Sequence, residues 1–280
     1  MLDRLTPPSY QTIQKIEYIQ AKTEHLSNGI PVHMINAGKQ PVLGIEFIFK
    51  AGAKYEPQNG IAFFTNKMLS EGTISRNAIE ISDYIDQFGA YLQLNVTPDF
   101  SFLEFYTLTK YTEPALKLLG ELITTSVFPD SELTILKNIQ RQQLRINNEK
   151  SNVLASKKTR AALFGENHPY GKSLTEEIIG QIDRDMLYRF FSQYYQGGFE
   201  IILSGLVAPE TIKLLGKYFG HIEQPSKVQN TYHSEEATPD HRHRIVIEKP
   251  ENLQSSIRVG KLLFTRNHPD FAKVKVVNTI

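Results

Sequence analysis

Apolar residues in this chain alternate in some stretches and recur every third or fourth position in others. Thr23–Leu26 and Pro31–Ile35 alternate on either side of Ser27-Asn28-Gly29, an Asn-Gly signal for a hairpin. Val42–Ala51 (VLGIEFIFKA) alternates and is rich in strand formers. The period then lengthens. Helices are predicted from about Gly60 to Leu69 and from Asn77 to Phe88, the second using Ile79, Ile81, Ile85 and Phe88 for apolar contacts. Ala90–Val96 and Phe100–Leu108 read as paired strands joined through Thr97-Pro98-Asp99. Helices follow at Glu113–Thr125, with Leu116, Leu119 and Ile123 on one face, and at Ser131–Glu149, Val153–Phe164 and Thr175–Tyr195, the last interrupted near Asp183. Glu200–Leu206 (EIILSGL) is an apolar strand, and Pro209–Phe219 is helical.

After this the composition changes. Ser226 to Asp240 is polar, poor in apolar residues and carries proline, so it reads as a linker. Arg244–Glu248 and Ser255–Phe264 read as strands, and a helix follows at Phe271 to Ile280, which stops without a cap or a glycine. Strand, strand, helix is also the order in which the first part begins. The pattern therefore divides the chain into a first α+β half at 1–225, a linker at 226–242 and the start of a second, similar half at 243–280, with the natural protein continuing. The fold expected is α+β, an antiparallel or mixed sheet with helices packed on one side, in two similar halves of which the second is truncated. Residues 1–20 read as an extended arm.

Composition narrows the chemistry. The 280 residues exceed the usual size of one domain, in keeping with two units. A formal net charge of +1 supplies no field to attract nucleic acid or anionic lipid, so neither is expected as a partner. The absence of cysteine rules out disulfide frameworks, thiolate metal sites and cysteine nucleophiles, and suits a reducing compartment. No apolar run is long enough to cross a bilayer, and the N-terminus lacks the apolar core of a secretory signal. A cytoplasmic protein is expected, or a periplasmic one if a signal has been removed.

Several segments together carry a likeness to a known family. Leu26-Ser27-Asn28-Gly29-Ile30-Pro31-Val32 resembles the opening strand pair of the pitrilysin/insulinase zinc peptidases, the inverzincins. Phe49-Lys50-Ala51-Gly52 followed by Glu56 resembles its second strand and exit. Gly60-Ile61-Ala62 and the closing Gly72-Thr73 frame the place where active members carry His-x-x-Glu-His. His168-Pro169-Tyr170-Gly171, Tyr194-Tyr195 and Ile201-Ile202-Leu203-Ser204-Gly205 resemble later landmarks of the family. The resemblance runs through the chain from about Thr23 and is to members of the mitochondrial-processing-peptidase kind.

In that family, two His four apart on one helix face and a distant Glu hold zinc, and the Glu between the His is the general base. The resemblance puts Phe63 at the first His, Asn66 at the base, Lys67 at the second His and Gln143 at the third ligand, with Leu136 at the other acidic position of that helix. Phenylalanine has no lone pair, asparagine is no base, lysine is a cation and glutamine is a weak neutral donor. The resemblance thus implies a non-catalytic member with no metal or cofactor of its own. It implies a role beside an active zinc-peptidase homologue, in a heterodimer that encloses peptides, with zinc held in the active partner; self-association is the other arrangement. A stand-alone peptide-binding or scaffold protein is the alternative, and an active peptidase with an unconventional site is a third reading.

The other candidate chemistries are weaker. His241-x-His243 has ligand spacing but lies among Arg242 and Arg244, as on a solvated basic edge. His168 before Pro169 suits a structural loop. Asp83 and Asp86 suit a solvated helix face. Phe100, Phe102, Phe105 and Tyr106 suit sheet core, with a peptide groove as the other reading. Gly52, Gly60 and Gly72 are too scattered to cradle phosphate, and Ser204 has no nucleophile-elbow pattern around it.

Overall fold

The computed structural model describes residues 17–223, 237, 239 and 244–279. Its centre is one six-stranded sheet. The strands are β1 (Lys22–His25), β2 (Pro31–Asn36), β3 (Val42–Phe49), β4 (Tyr91–Val96), β5 (Ser101–Leu108) and β6 (Phe199–Gly205), in spatial order β1-β2-β6-β3-β5-β4. Every neighbouring pair is antiparallel except β2 and β6, so the sheet is mixed.

Period-two alternation gives this sheet one wet and one dry face. On β5, Ser101, Leu103, Phe105 and Thr107 are buried, while Tyr106 and Leu108 are exposed. On β3 the dry positions are Leu43, Ile45, Phe47 and Phe49, and on β6 they are Phe199, Ile201 and Leu203. Their cross-strand registers, such as Phe47 opposite Leu103 and Ile201, put these side chains in rows.

Helices cover the dry face. They are α1 (Ile61–Met68), α2 (Ala78–Gln87), α3 (Thr112–Thr124), α4 (Asp130–Glu149), α5 (Ser151–Phe164), α6 (Glu176–Gln181), α7 (Arg184–Tyr194) and α8 (Thr211–Phe219). Buried Phe64 and Met68 of α1, Leu118 and Leu122 of α3, Phe191 of α7 and Phe219 of α8 join the sheet residues in one continuous core. Aromatic contacts fix its centre: ring centroids are 5.0 Å apart for Phe47 and Phe219, and 4.5 Å for Phe49 and Tyr195. The α+β class, the mixed sheet and the helices packed on one side are as the patterning predicts.

The predicted elements fall close to the observed ones because their local signals are strong. The Asn28-Gly29 turn joins β1 to β2, with Gly29 at φ +87°. Asn77 caps α2: its side chain accepts the Glu80 N–H at 2.9 Å, and the Glu80 carboxylate accepts the Asn77 N–H at 2.9 Å. Asp183, where the long helical stretch is interrupted, caps α7 by accepting from the Met186 N–H.

Three expectations need correction. Arg244–Glu248 and Ser255–Phe264 are in no strand ladder. A strand needs a neighbour for its backbone groups, and among the described residues none lies beside them. Polar contacts hold this segment to the α4–α5 junction instead. Lys249 donates to the carbonyls of Asn148 and Glu149, Asn252 to Ser151, and Arg258 to Ser156. Second, Ile79 points to solvent at 72% exposure, so α2 rests on the core through Ile81, Tyr84 and Ile85. Third, of the four aromatic residues read as sheet core, only Phe105 is buried; Phe102 is half-buried, and Phe100 and Tyr106 are exposed. A last helix, α9 (Phe271–Val277), stands where the helix after Phe271 is predicted and buries none of its residues. The predicted linker and its His241-x-His243 pair lie outside the described residues, apart from 237 and 239.

Candidate functional site

The framed segment at Gly60 forms α1, and its first turn is held from outside the helix. Gly60 has φ +97°, a left-handed conformation that suits glycine, and a Cβ there would stand 2.9 Å from the Leu174 side chain. The free N–H groups of this turn find the Glu56 carboxylate. Its Oε2 accepts from Gly60 at 3.1 Å and from Ala62 at 2.8 Å. The Lys172 ammonium lies 2.9 Å from Oε1 and also donates to the Ala53 carbonyl at 3.0 Å. Burial pushes the Glu56 carboxyl up from its ordinary value, against the pull of Lys172 and the two backbone donors.

Lys172 follows the His168-Pro169-Tyr170-Gly171 segment, and this loop is tied down at further points. The Tyr170 hydroxyl donates to Asp99, which Lys54 pairs at 2.7 Å. Those two donors hold the Asp99 carboxyl below the usual range, although burial works the other way. His168 is buried, accepts the Tyr170 N–H at 3.1 Å and stacks on Phe164, the structural loop role expected of it. Asp83 and Asp86 are exposed on α2.

The four positions that the resemblance assigns to the family's metal site have these surroundings. Phe63 is half-buried and meets the fully buried Phe64 edge to face, with centroids 5.3 Å apart. Asn66 is fully buried and points into the sheet, where its Nδ2 donates to the Phe102 carbonyl at 3.1 Å. Beside it lies the buried Tyr195 hydroxyl, whose pKa burial pushes up while the Ser101 and Asn66 side chains pull it down. Lys67 is half-buried and donates to the Leu94 carbonyl of β4. Burial draws its ammonium below the ordinary lysine value. Gln143 is exposed on α4 and donates to Asn147 at 3.1 Å, while Leu136 packs against the core.

These residues do not fit a zinc ion. The Phe63 ring has no donor atom, Lys67 presents a cation to the Leu94 carbonyl, and the Asn66 amide is turned into the sheet. Among the described residues, no three His, Asp or Glu side chains are grouped so as to hold a metal ion.

Sequence reasoning missed two features. Glu56 was visible only as part of the strand exit, although an acid four residues before a helix-opening glycine is a signal for an N-terminal cap. The other is a cavity of about 800 Å³ between α4, α5 and the loop before α6, lined in part by Leu144, Asn148, Lys157, Glu166 and Glu177. None of the four positions above lines it.

A six-stranded mixed sheet with helices on one face defines an α+β protein. A family model described as insulinase, peptidase family M16, matches residues 32–176, and one described as the M16 peptidase inactive domain matches residues 181–280. The chain belongs to the M16 insulinase family.

Its similarity to individual proteins is modest. An uncharacterized zinc protease of Bacillus subtilis is 24% identical over 220 residues, 75% of this chain and 54% of that protein. Subunit 1 of the mitochondrial cytochrome b-c1 complex of Bos taurus is 22% identical over 235 residues, 82% of this chain and 47% of that one. A probable mitochondrial-processing peptidase subunit beta of Schizosaccharomyces pombe is 24% identical over 221 residues, 75% and 47% of the two chains. Among solved structures, an M16 peptidase inactive domain from Pseudomonas fluorescens superposes with a TM-score of 0.67 at 24% identity, over 74% of this chain and 53% of that one. A protease from Helicobacter pylori superposes at 0.69 and 18% identity, over 75% and 52%. The chain spans about half the length of the relatives it matches. These relatives include chains named as proteases and chains named as subunits of the cytochrome b-c1 complex. No helix among the described residues is long and apolar enough to cross a membrane.

Proposed function

We propose that this protein is a non-catalytic M16 subunit that pairs with a zinc-bearing homologue and supplies part of the wall of a peptide-binding chamber. The observation that carries the reading is an intact α1 frame whose ligand positions are spent otherwise: Phe63 on Phe64, Asn66 on the Phe102 carbonyl and Lys67 on the Leu94 carbonyl. The helix is kept while its metal chemistry is missing, which suits a chain that works through its surface. In this reading it carries no cofactor, and zinc resides in the partner. The relatives named as subunits of larger assemblies support association, and those named as zinc proteases supply the kind of partner required.

The test is co-expression with a homologue that carries His-x-x-Glu-His. The expected result is co-elution of the two chains and peptide hydrolysis that rises when this chain is present, with zinc tracking the homologue. A homologue that is fully active alone and never associates would sink the heterodimer. Peptide binding by the isolated chain in that case would leave the stand-alone reading.

A further inference from the structure

The cavity between α4, α5 and the loop before α6 holds about 800 Å³, a size that suits a small organic ligand. Contacts between elements fix its walls. Arg145 of α4 forks onto Glu176 of α6, with Nε 2.8 Å from one carboxylate oxygen and Nη2 2.6 Å from the other. Lys137, two turns earlier on α4, donates to the Gly180 and Ile182 carbonyls at the far end of α6. Lys249 holds the Asn148 and Glu149 carbonyls at the end of α4. The cavity is therefore preformed. Leu144, Leu154, Ala161 and Leu174 give it an apolar lining.

Charged side chains line it as well: Lys157, Lys158, Glu166, Glu176 and Glu177. Arg145 takes Glu176, and Lys158 lies 3.9 Å from Glu166. One cation and one anion are left. Lys157 is half-buried, and its ammonium donates to Asn148 Oδ1 at 2.7 Å, a neutral acceptor. No carboxylate pairs with it among the described residues. Burial, and then the nearby Arg160 guanidinium, draws this ammonium below the ordinary lysine value. An ammonium has three N–H donors, so two more are free to serve a ligand. Glu177 is exposed, and no cation pairs with it among the described residues. Its own backbone N–H and then the Thr175 hydroxyl hold its carboxyl below the ordinary value.

We propose that this cavity binds a small aliphatic zwitterion, a free amino acid or a very short peptide with both ends free, its carboxylate on Lys157 and its ammonium on Glu177. The charges left over are one of each sign, so such a ligand completes two charge-assisted pairs at once. A polyanion such as a phosphate ester would meet three carboxylates and a single available cation. A plain hydrocarbon would cover the Lys157 ammonium without pairing it, which costs free energy. Aliphatic side chains on the zwitterion find Leu144, Leu154 and Leu174. The site is separate from the chamber proposed above, since none of Phe63, Asn66, Lys67 and Gln143 lines it.

The experiment is a ligand-observed NMR titration of the whole chain with leucine, leucyl-leucine, its N-acetyl form and its C-terminal amide. Wild type is expected to bind leucyl-leucine about tenfold more tightly than the amide, because Lys157 is half-buried. The preference over the N-acetyl form should be smaller, about threefold, because Glu177 is exposed and water screens it. Lys157→Met should bind the dipeptide and its amide alike and still discriminate against the N-acetyl form. Glu177→Gln should show the reverse. A general loss of packing would not give this crossed pattern, and thermal melts of both variants should stay near wild type. Leucine binding as tightly as the dipeptide assigns the site to an amino acid, and tighter dipeptide binding assigns it to a peptide. Equal affinity of wild type for free and blocked dipeptides, end preferences that survive in both variants, or no binding of any probe would overturn the proposal. None of these outcomes touches the heterodimer, which is tested by co-elution.

Discussion

The resemblance assigns Asn66 to the general-base position of active members, and replacing it with a carboxylate tests whether that position faces water or the core. The residue is fully buried, and its amide donates to the Phe102 carbonyl. In Asn66→Asp the new group either carries an unpaired charge into the core or takes up a proton. Burial commonly raises such a carboxyl by about 3–5 pH units, so at neutral pH it protonates. Protonation at pH 7 from an ordinary value near 3.9 costs about 4 kcal/mol, at about 1.4 kcal/mol per pH unit. The neutral acid then donates to the Phe102 carbonyl much as the amide does, so little else is lost. The Tyr195 hydroxyl nearby is a neutral donor, too weak to replace the hydration of a full charge. The penalty should fall to about 1.5 kcal/mol at pH 5, because the free carboxyl is then closer to its own pKa. Asn66→Leu provides the comparison. It removes the donor to Phe102 and should cost about 1–3 kcal/mol at either pH. Urea unfolding followed by circular dichroism at both pH values measures all of this. A cost for Asn66→Asp below about 1 kcal/mol at pH 7, or one that does not change between pH 5 and 7, would mean that position 66 meets solvent or a counter-charge, and the argument for a buried base position would fail.

Other changes follow from the same geometry. Phe64→Ala removes a fully buried ring from α1 and should cost about 3–5 kcal/mol, and Phe63→Ala, at a half-buried position, about half as much; equal losses in denaturant midpoints would contradict this packing. Asn77→Ala breaks the reciprocal cap of α2 and should lower stability by about 1 kcal/mol, and an unchanged thermal midpoint would count against that cap. Glu56 has a raised folded pKa, so the native state binds its proton more tightly than the unfolded chain. Its contribution is therefore present at low pH and is lost as pH climbs from 4.5 through the folded value. Glu56→Gln should remove that downward slope from urea midpoints taken across the acid range, and an identical slope in the variant would refute the assignment.

Local rules were enough to read most of this fold. Alternation marks β3, β5 and β6, because each has one face on a single core. Asn28-Gly29, Asn77 and Asp183 mark turns and caps because their effects act within a few residues. Properties set by distant parts of the chain were not legible. An apolar wheel on α1 does not say which of Phe63 and Phe64 meets the sheet; it is Phe64 that lies in the core. Ile79 is apolar and helical, yet the core takes Ile81 instead. Ser255–Phe264 has the composition of a strand, but pairing depends on a neighbour that sequence alone does not supply. The candidate site divides in the same way. The identities at 63, 66, 67 and 143 are read directly from the chain, whereas the places where Asn66 and Lys67 send their hydrogen bonds depend on β5 and β4, more than 25 residues away.

The contacts of α1 show what holds this helix in place. Two things hold this helix. Its N-terminus is satisfied by Glu56, itself held by Lys172, and its inner face is fixed by Ile61, Phe64 and Met68 in the core. Residues on the outward part of the helix can therefore change at a smaller cost in stability than those on its inner face. Phe63 and Lys67 are both half-buried there, and each side chain has found a local use, one in an aromatic contact and one on a strand edge. In a chain whose folding depended on zinc, loss of the ligands would have removed the structure along with the chemistry. Here the cap at Glu56 and the core contacts of Ile61, Phe64 and Met68 keep α1 in place whatever residues 63 and 67 are.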